Sequence, residues 1–301
     1  MKKFLISLTV LVVILVAMDW IVGIECRYFQ YHSKGGDTGR MMYIADKMDA
    51  EVLIFGSSRA IHHYDPRIIE DSLHLSCYNC GRDGNGIIFN YGMYRLFRDR
   101  YTPKVIIYDI MPGFDLQENH DNEKYLRWLR YFYDREGIDS IFWRVDKTER
   151  WKMIPNMRRY NTKFVQLVSD WHSPQQNDIQ GYRPLTEVMK YEPMDKEKTI
   201  KKAFQYDHLK MYYMKRLIDD CKAHGTKLIF MVSPTYHGKE NADLNEMKVL
   251  AEEMSVPFLY YNNYETISEH RDYFEDSIHM NEQGAIEYTR MIVGILKRIF
   301  Q

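Results

Sequence analysis

Four short, uninterrupted apolar runs constrain this chain more than any other feature: Val52-Leu53-Ile54-Phe55, Val105-Ile106-Ile107-Tyr108, Leu228-Ile229-Phe230-Met231-Val232 and Phe258-Leu259-Tyr260-Tyr261. Each has the length of a strand and lacks apolar/polar alternation, the pattern of a strand buried on both faces of a parallel sheet. Gly56 ends the first run and Pro103 introduces the second. Helical stretches lie between or after them: about Asp207 to His224, closed by Gly225, then Ala242 to Met254 and Glu282 to Ile299. Leu75 to Asn79 is a candidate fifth strand. The expected fold class is α/β, a doubly wound parallel sheet with helices on both faces.

Between Phe114 and about Lys202 the pattern changes. No apolar run of strand character occurs, and aromatics (Tyr125, Trp128, Tyr131, Phe132, Tyr133, Phe142, Trp143, Trp151) stand among charges. This segment, about 114–202, reads as a helical insertion. It leaves the sheet just after a strand's carboxyl end, where open α/β sheets bind ligands, so it is expected to roof the site. Its aromatics either fill the insertion's own core or, as at Trp128 and Trp143, offer faces to a sugar substrate.

At the N-terminus, Lys2 and Lys3 precede an apolar stretch from Phe4 to Ile24, interrupted only by Asp19. That is the length of a membrane-spanning helix. No small-x-small cleavage site closes the run, which favours a retained anchor over a removed signal peptide. The lysines place the N-terminus inside, so the rest of the chain is expected outside the cytoplasmic membrane, in the periplasm of an inner-membrane protein. The expected organisation is an anchor or signal over 1–25 and one α/β domain over 26–301.

Charge and cysteine content exclude other classes. Forty-one Lys+Arg against forty-two Asp+Glu leave a net charge of -1, without the basic field that a nucleic-acid backbone requires. The four cysteines, Cys26, Cys77, Cys80 and Cys221, lack zinc-site spacing and are too few for a disulfide scaffold. His62-His63 with Asp65 is not followed by a further ligand at recognisable spacing, and a packing or solvent role is expected for it. No metal and no cofactor is expected.

Two segments carry chemistry. The first strand delivers Phe55-Gly56-Ser57-Ser58-Arg59 at its carboxyl end, so a hydroxyl stands where a turn meets a helix N-terminus. Serine there is either an N-cap or a nucleophile whose own N–H serves an oxyanion. After the last strand comes Asp276-Ser277-Ile278-His279. A carboxylate three residues before a histidine on one tight turn can fix the imidazole tautomer and leave the other nitrogen to take a serine proton. Together these form a Ser/His/Asp set on the ligand-binding edge. Arg59 either decorates the first helical turn or contacts an anionic substrate group.

In these blocks the chain resembles the SGNH/GDSL hydrolase superfamily, whose signatures are Gly-Asp-Ser after the first strand and Asp-x-x-His near the C-terminus. The resemblance covers most of Val52 to Tyr108 and Thr226 to Phe300. It implies a flavodoxin-like sheet of the SGNH type, with Ser58 as nucleophile, His279 as base and Asp276 as its partner. The second block resembles Asn79-Cys80-Gly81-Arg82-Asp83-Gly84, with Gly84, or less well Gly81, as oxyanion donor beside the Ser58 N–H. The third block departs from the family: Tyr108-Asp109-Ile110-Met111-Pro112-Gly113-Phe114-Asp115 lacks the usual asparagine donor, for which Asn85 is a substitute. The Gly-Ser-Ser-Arg form looks like the membrane-anchored branch that includes alginate O-acetylation proteins and teichoic acid D-alanyl-transfer proteins. What this implies is an extracytoplasmic serine esterase or O-acyltransferase acting on an acyl group, acetyl by preference, of an envelope carbohydrate. The alternative is a catalytically silent protein that binds glycan or docks a membrane acyltransferase.

Overall fold

The computed structural model describes residues 1–119, 121–161, 163–172, 178–191, 204–238 and 242–300. The chain divides into two compact units: Met1–Met48 with Arg95–Phe97 and Asn122–Asn177, and Asp49–Tyr94 with Arg98–Asp121 and Asp178–Gln301.

The second unit is built on five parallel strands, β1 (Val52–Gly56), β2 (Cys77–Asn79), β3 (Val105–Asp109), β4 (Lys227–Val232) and β5 (Phe258–Tyr260), in the order β2-β1-β3-β4-β5. This α/β architecture is compatible with a flavodoxin-like fold. The runs Val52–Phe55, Val105–Tyr108 and Leu228–Val232 lie wholly on β1, β3 and β4 and are buried throughout, because a strand covered on both faces favours apolar side chains at every position. The run from Phe258 forms the half-buried edge strand β5, which ends at Tyr260, and the candidate at Leu75–Asn79 is a strand only over Cys77–Asn79. Val52, Ile54, Val105, Ile107, Ile229 and Met231 belong to one core cluster with Ile69 of helix Pro66–Leu73 and with Tyr288, Ile292 and Leu296 of helix Glu282–Phe300. On the opposite face Tyr108 meets Phe230 and accepts a hydrogen bond from Asn90 of helix Ile87–Phe97. Each such buried apolar side chain is worth about 1.5–3 kcal/mol against leaving it in water.

Strand order reverses between β1 and β3, which run in register with Gly56 opposite Asp109. A doubly wound sheet opens its crevice at that switch point, outside the carboxyl ends of the strands. The four cysteines are free and buried.

The first unit contains one helix long and apolar enough to cross a membrane, Lys2–Tyr31, with a mean hydropathy of 2.6 in its most apolar window and none of that window buried. The helix runs past the boundary expected near residue 25. Its distal half buries Gly23, Cys26 and Gln30 against the short helices Met157–Tyr160 and Phe164–His172. The segment expected as one insertion falls in both units: its described residues from Asn122 to His172 fall in the unit of the N-terminal helix, and Phe114–Glu118 falls in the sheet unit. Between Asn122 and His172 every regular element among the described residues is a helix or a 3-10 turn.

Candidate active site

Ser58 opens the helix Ser58–His63 immediately after β1. Gly56 makes this turn possible. Its φ is +140°, and a Cβ there would stand 2.6 Å from the Asp109 carbonyl oxygen and 2.8 Å from the Ala60 Cβ. The two serines then diverge. Ser57 is fully buried and its Oγ hydrogen-bonds to Met111 Sδ at 3.1 Å. The Ser58 Oγ lies 2.8 Å from His279 Nε2. Ser58 is the first helical residue, so its N–H has no intrahelical acceptor.

His279 comes from a loop tied by an antiparallel bridge between Phe274 and Met280 and by a hydrogen bond from the Glu275 N–H to the His279 carbonyl at 3.0 Å. Within that loop Asp276 Oδ1 accepts the N–H groups of Ile278 (2.7 Å) and His279 (2.9 Å), and Oδ2 lies 2.8 Å from His279 Nδ1. Partial burial opposes ionisation of Asp276, but the hydrogen bonds from His279 and from the two N–H groups outweigh it and hold the carboxyl at about 2. An ionised carboxylate only accepts, so His279 Nδ1 carries a proton, and in the neutral imidazole Nε2 is the acceptor facing Ser58 Oγ. Ser58 is 8% exposed and the His279 side chain 23%.

A second histidine holds this loop. His63 is fully buried, lies 2.8 Å from Ser233 Oγ through Nδ1, and accepts the Met280 N–H at Nε2 at 3.0 Å. Burial, then the nearby Arg59 charge, push its pKa well below the usual value and keep it neutral, as an accepting Nε2 requires. The His63 ring thus joins the helix after β1, the end of β4 and the His279 loop. His62 is equally committed, with Nδ1 2.7 Å from the Arg183 carbonyl and Nε2 3.1 Å from Asp83. Asp65 caps the helix Pro66–Leu73 and binds Arg67.

Arg59 does not stand at the surface in either expected way. It is 4% exposed, with its guanidinium 3.2 Å from Asp109 and donating to the carbonyls of Ile110 and Ser233. Asp109 also accepts Tyr64 Oη–H (2.5 Å) and the Ser233 N–H (3.1 Å). The reason is topological: β1 and β3 are neighbours, so the first helical residues after β1 reach the carboxylate that ends β3. Arg59 ties strand ends together and does not present its charge to a ligand.

Among the expected oxyanion donors, Gly81 is excluded because its N–H donates to Asn79 Oδ1 at 2.9 Å. Gly84 occupies an exposed turn with φ +66°. Asn85 donates one side-chain N–H to the Asp83 carbonyl at 2.8 Å, closing that same turn. At the third block, Asp115 accepts Tyr108 Oη–H (2.6 Å) and the Met111 N–H (2.7 Å). Burial raises its pKa to about 6 against the pull of those hydrogen bonds. Asp109 and Asp115 are both acceptors built into the scaffold. Neither replaces a donor.

The two aromatics expected to meet substrate belong to the first unit. Trp128 is only 6% exposed, edge-on to Tyr131 and covered by the Lys163 ammonium, so it is core and not a sugar platform. Trp143 is 41% exposed and donates its indole N–H to Tyr133 Oη at 2.9 Å.

The chain matches no protein-family model, and no curated protein matches it. The site itself sets a carboxylate, an imidazole and a hydroxyl in one hydrogen-bonded line, at the carboxyl end of a parallel strand and the start of the helix that follows it.

Proposed function

We propose that this protein is a membrane-anchored serine esterase or O-acyltransferase that acts on an acyl group, acetyl by preference, of an envelope carbohydrate. The observation that carries the reading is the 2.8 Å approach of His279 Nε2 to Ser58 Oγ, with Asp276 on the other ring nitrogen. His279 takes the Ser58 proton as Oγ attacks the ester carbonyl, and Asp276 stabilises the imidazolium. The Ser58 N–H and the Gly84 N–H hold the oxyanion. His279 then gives its proton to the departing alcohol oxygen, leaving acyl-Ser58, which water or a sugar hydroxyl resolves with His279 again as base.

The apolar helix and the SGNH-like blocks support the substrate class and the compartment. Lys2 and Lys3 ahead of the helix support an orientation with the remaining chain outside the cytoplasmic membrane. A membrane acyltransferase that passes the acyl group to this protein fits the same reading. The rival, a silent glycan-binding or docking protein, is favoured by one observation: Asp109 and Asp115 are acceptors where the family places an asparagine donor. Loss of one such donor costs about 3 kcal/mol of transition-state stabilisation.

Purified full-length protein given an O-acetylated oligosaccharide separates the two. Acetate release, or transfer to a second sugar, that disappears in Ser58→Ala supports the enzyme. Saturable glycan binding with no turnover in either protein supports the rival.

A further inference from the structure

The first unit carries an exposed apolar surface that this chemistry does not use. Along the helix Lys2–Tyr31 each residue rises 1.5 Å, so Asp19 stands about 22 Å beyond Phe4 and Ile24 about 30 Å, the thickness of a hydrocarbon core. A bilayer spanned by Phe4–Ile24 therefore contains Asp19 within its far leaflet. An unpaired carboxylate at such depth is expensive. Here it is fully partnered: Oδ2 accepts the Asn156 N–H (2.8 Å) and its Nδ2–H (3.1 Å), and Oδ1 accepts the Met157 N–H (2.9 Å). Gly23 lets the segment come this close, since a Cβ there would lie 2.5 Å from the Asn156 Cβ.

The segment around Asn156 is thus held at the depth of Asp19. Its neighbours have the side chains that depth demands: Trp151 is 66% exposed, Ile154 67% and Met157 47%. The Arg150 guanidinium lies over the Trp151 ring, 5.2 Å from its centroid, in the manner of a cation snorkelling at an interface. About 12 Å further along the helix from Asp19, at headgroup level, Arg27 and Arg159 share the single carboxylate of Asp134. They border a cavity of about 310 Å³ that Trp20 and Ile24 also line. Two guanidiniums on one carboxylate leave a positive charge where lipid phosphates stand.

We propose that Trp151, Ile154 and Met157 form a shelf embedded in the leaflet nearest Ile24, with Arg27 and Arg159 at the phosphate level, so that a phospholipid bilayer grips this unit as well as its spanning helix. The proposal rests on the reading of Lys2–Tyr31 as a membrane span. Trp20, Gly23 and the Asp19 contacts make the shelf continuous with that helix, which commits its occupant to lipid. An apolar face lying in an interface sits about 5–10 Å below the headgroups, within reach of quenchers on the upper acyl chain.

The test uses the full chain reconstituted in anionic phospholipid vesicles whose acyl chains are brominated near the carbonyl end. The emission of wild type minus that of Trp151→Phe isolates Trp151, and a Trp20→Phe variant isolates Trp20 in the same way. The expected result is that brominated lipid removes at least about half of both components, as an indole at that depth requires, while aqueous acrylamide leaves the Trp151 component nearly unchanged. Quenching of Trp20 by lipid with Trp151 quenched only by acrylamide overturns the shelf and leaves the anchor standing. A Trp151 component insensitive to both quenchers means that a second copy or another protein covers the patch, which also overturns it. If neither tryptophan responds to brominated lipid, the span itself fails and the shelf fails with it.

Discussion

His279 Nε2 and Ser58 Oγ lie 2.8 Å apart although 221 residues separate them in the chain. The contact depends on two independent pieces of local structure, a glycine turn after β1 and a carboxylate-stapled loop before the last helix. The fold brings both to one edge of the sheet. His63 couples them physically, because it leaves the same helix as Ser58 and accepts the N–H of the residue after His279.

Ser58→Ala and His279→Ala each lower kcat/KM on p-nitrophenyl acetate by about 10³-fold or more, since nucleophile and base act as one unit. Ser57→Ala, whose hydroxyl points to Met111, stays within a few-fold of wild type. Asp276→Asn leaves a measurable remainder, because it orients and does not react. Steady-state kinetics on the four variants checks this; an inactive Ser57→Ala beside an active Ser58→Ala would move the nucleophile by one residue.

Arg59 is expected to matter for stability. Arg59→Ala leaves the fully buried Asp109 carboxylate without its cation, and breaking one side of a buried pair costs about 3–5 kcal/mol. Denaturant unfolding measures the loss. A variant with unchanged midpoint and a raised KM for an anionic ester would instead return Arg59 to the substrate.

These side chains also show what was legible in the sequence. The strands were, because burial on both faces forces every position of Val52–Phe55, Val105–Tyr108 and Leu228–Val232 to be apolar. Asp276 and His279 were, because their contact spans one turn. Arg59 with Asp109 and His63 with Met280 were not: each needs the knowledge that β1, β3 and β4 are adjacent, which no local spacing encodes. The burial of Trp128 was hidden for another reason. The helices around it are four to nine residues long, too short to display a period from which a buried face is read. The contacts of Asp19 were equally invisible, since its partners lie 137 and 138 residues away.

The acid response follows from Asp276. Its folded-state pKa of about 2 lies below the unfolded carboxylate value of about 3.9. It therefore contributes stability that is present above that unfolded value and is lost as pH falls towards 2. The Tm difference between wild type and Asp276→Asn is expected to shrink as pH drops through this window. A difference that stays constant from pH 5 to about pH 2 would contradict the assigned ionisation.

On topology, a C-terminal alkaline phosphatase fusion is expected to be active and a fluorescent cytoplasmic reporter at the same position dark, because Lys2 and Lys3 precede the apolar helix. The opposite pair of results reverses the orientation. A mature N-terminus near residue 25 would show that the helix Lys2–Tyr31 is cut within its length and that no anchor remains.

The central claim is that Ser58 is a nucleophile activated by His279, and a fluorophosphonate that phosphonylates only activated serines tests it most directly. Intact-mass analysis of the full-length protein is expected to show one adduct, mapped to Ser58 by peptide sequencing, absent in Ser58→Ala and strongly slowed in His279→Ala. Absence of any Ser58 adduct in folded wild type, or labelling that persists in Ser58→Ala, would contradict the account and leave the protein a binding module.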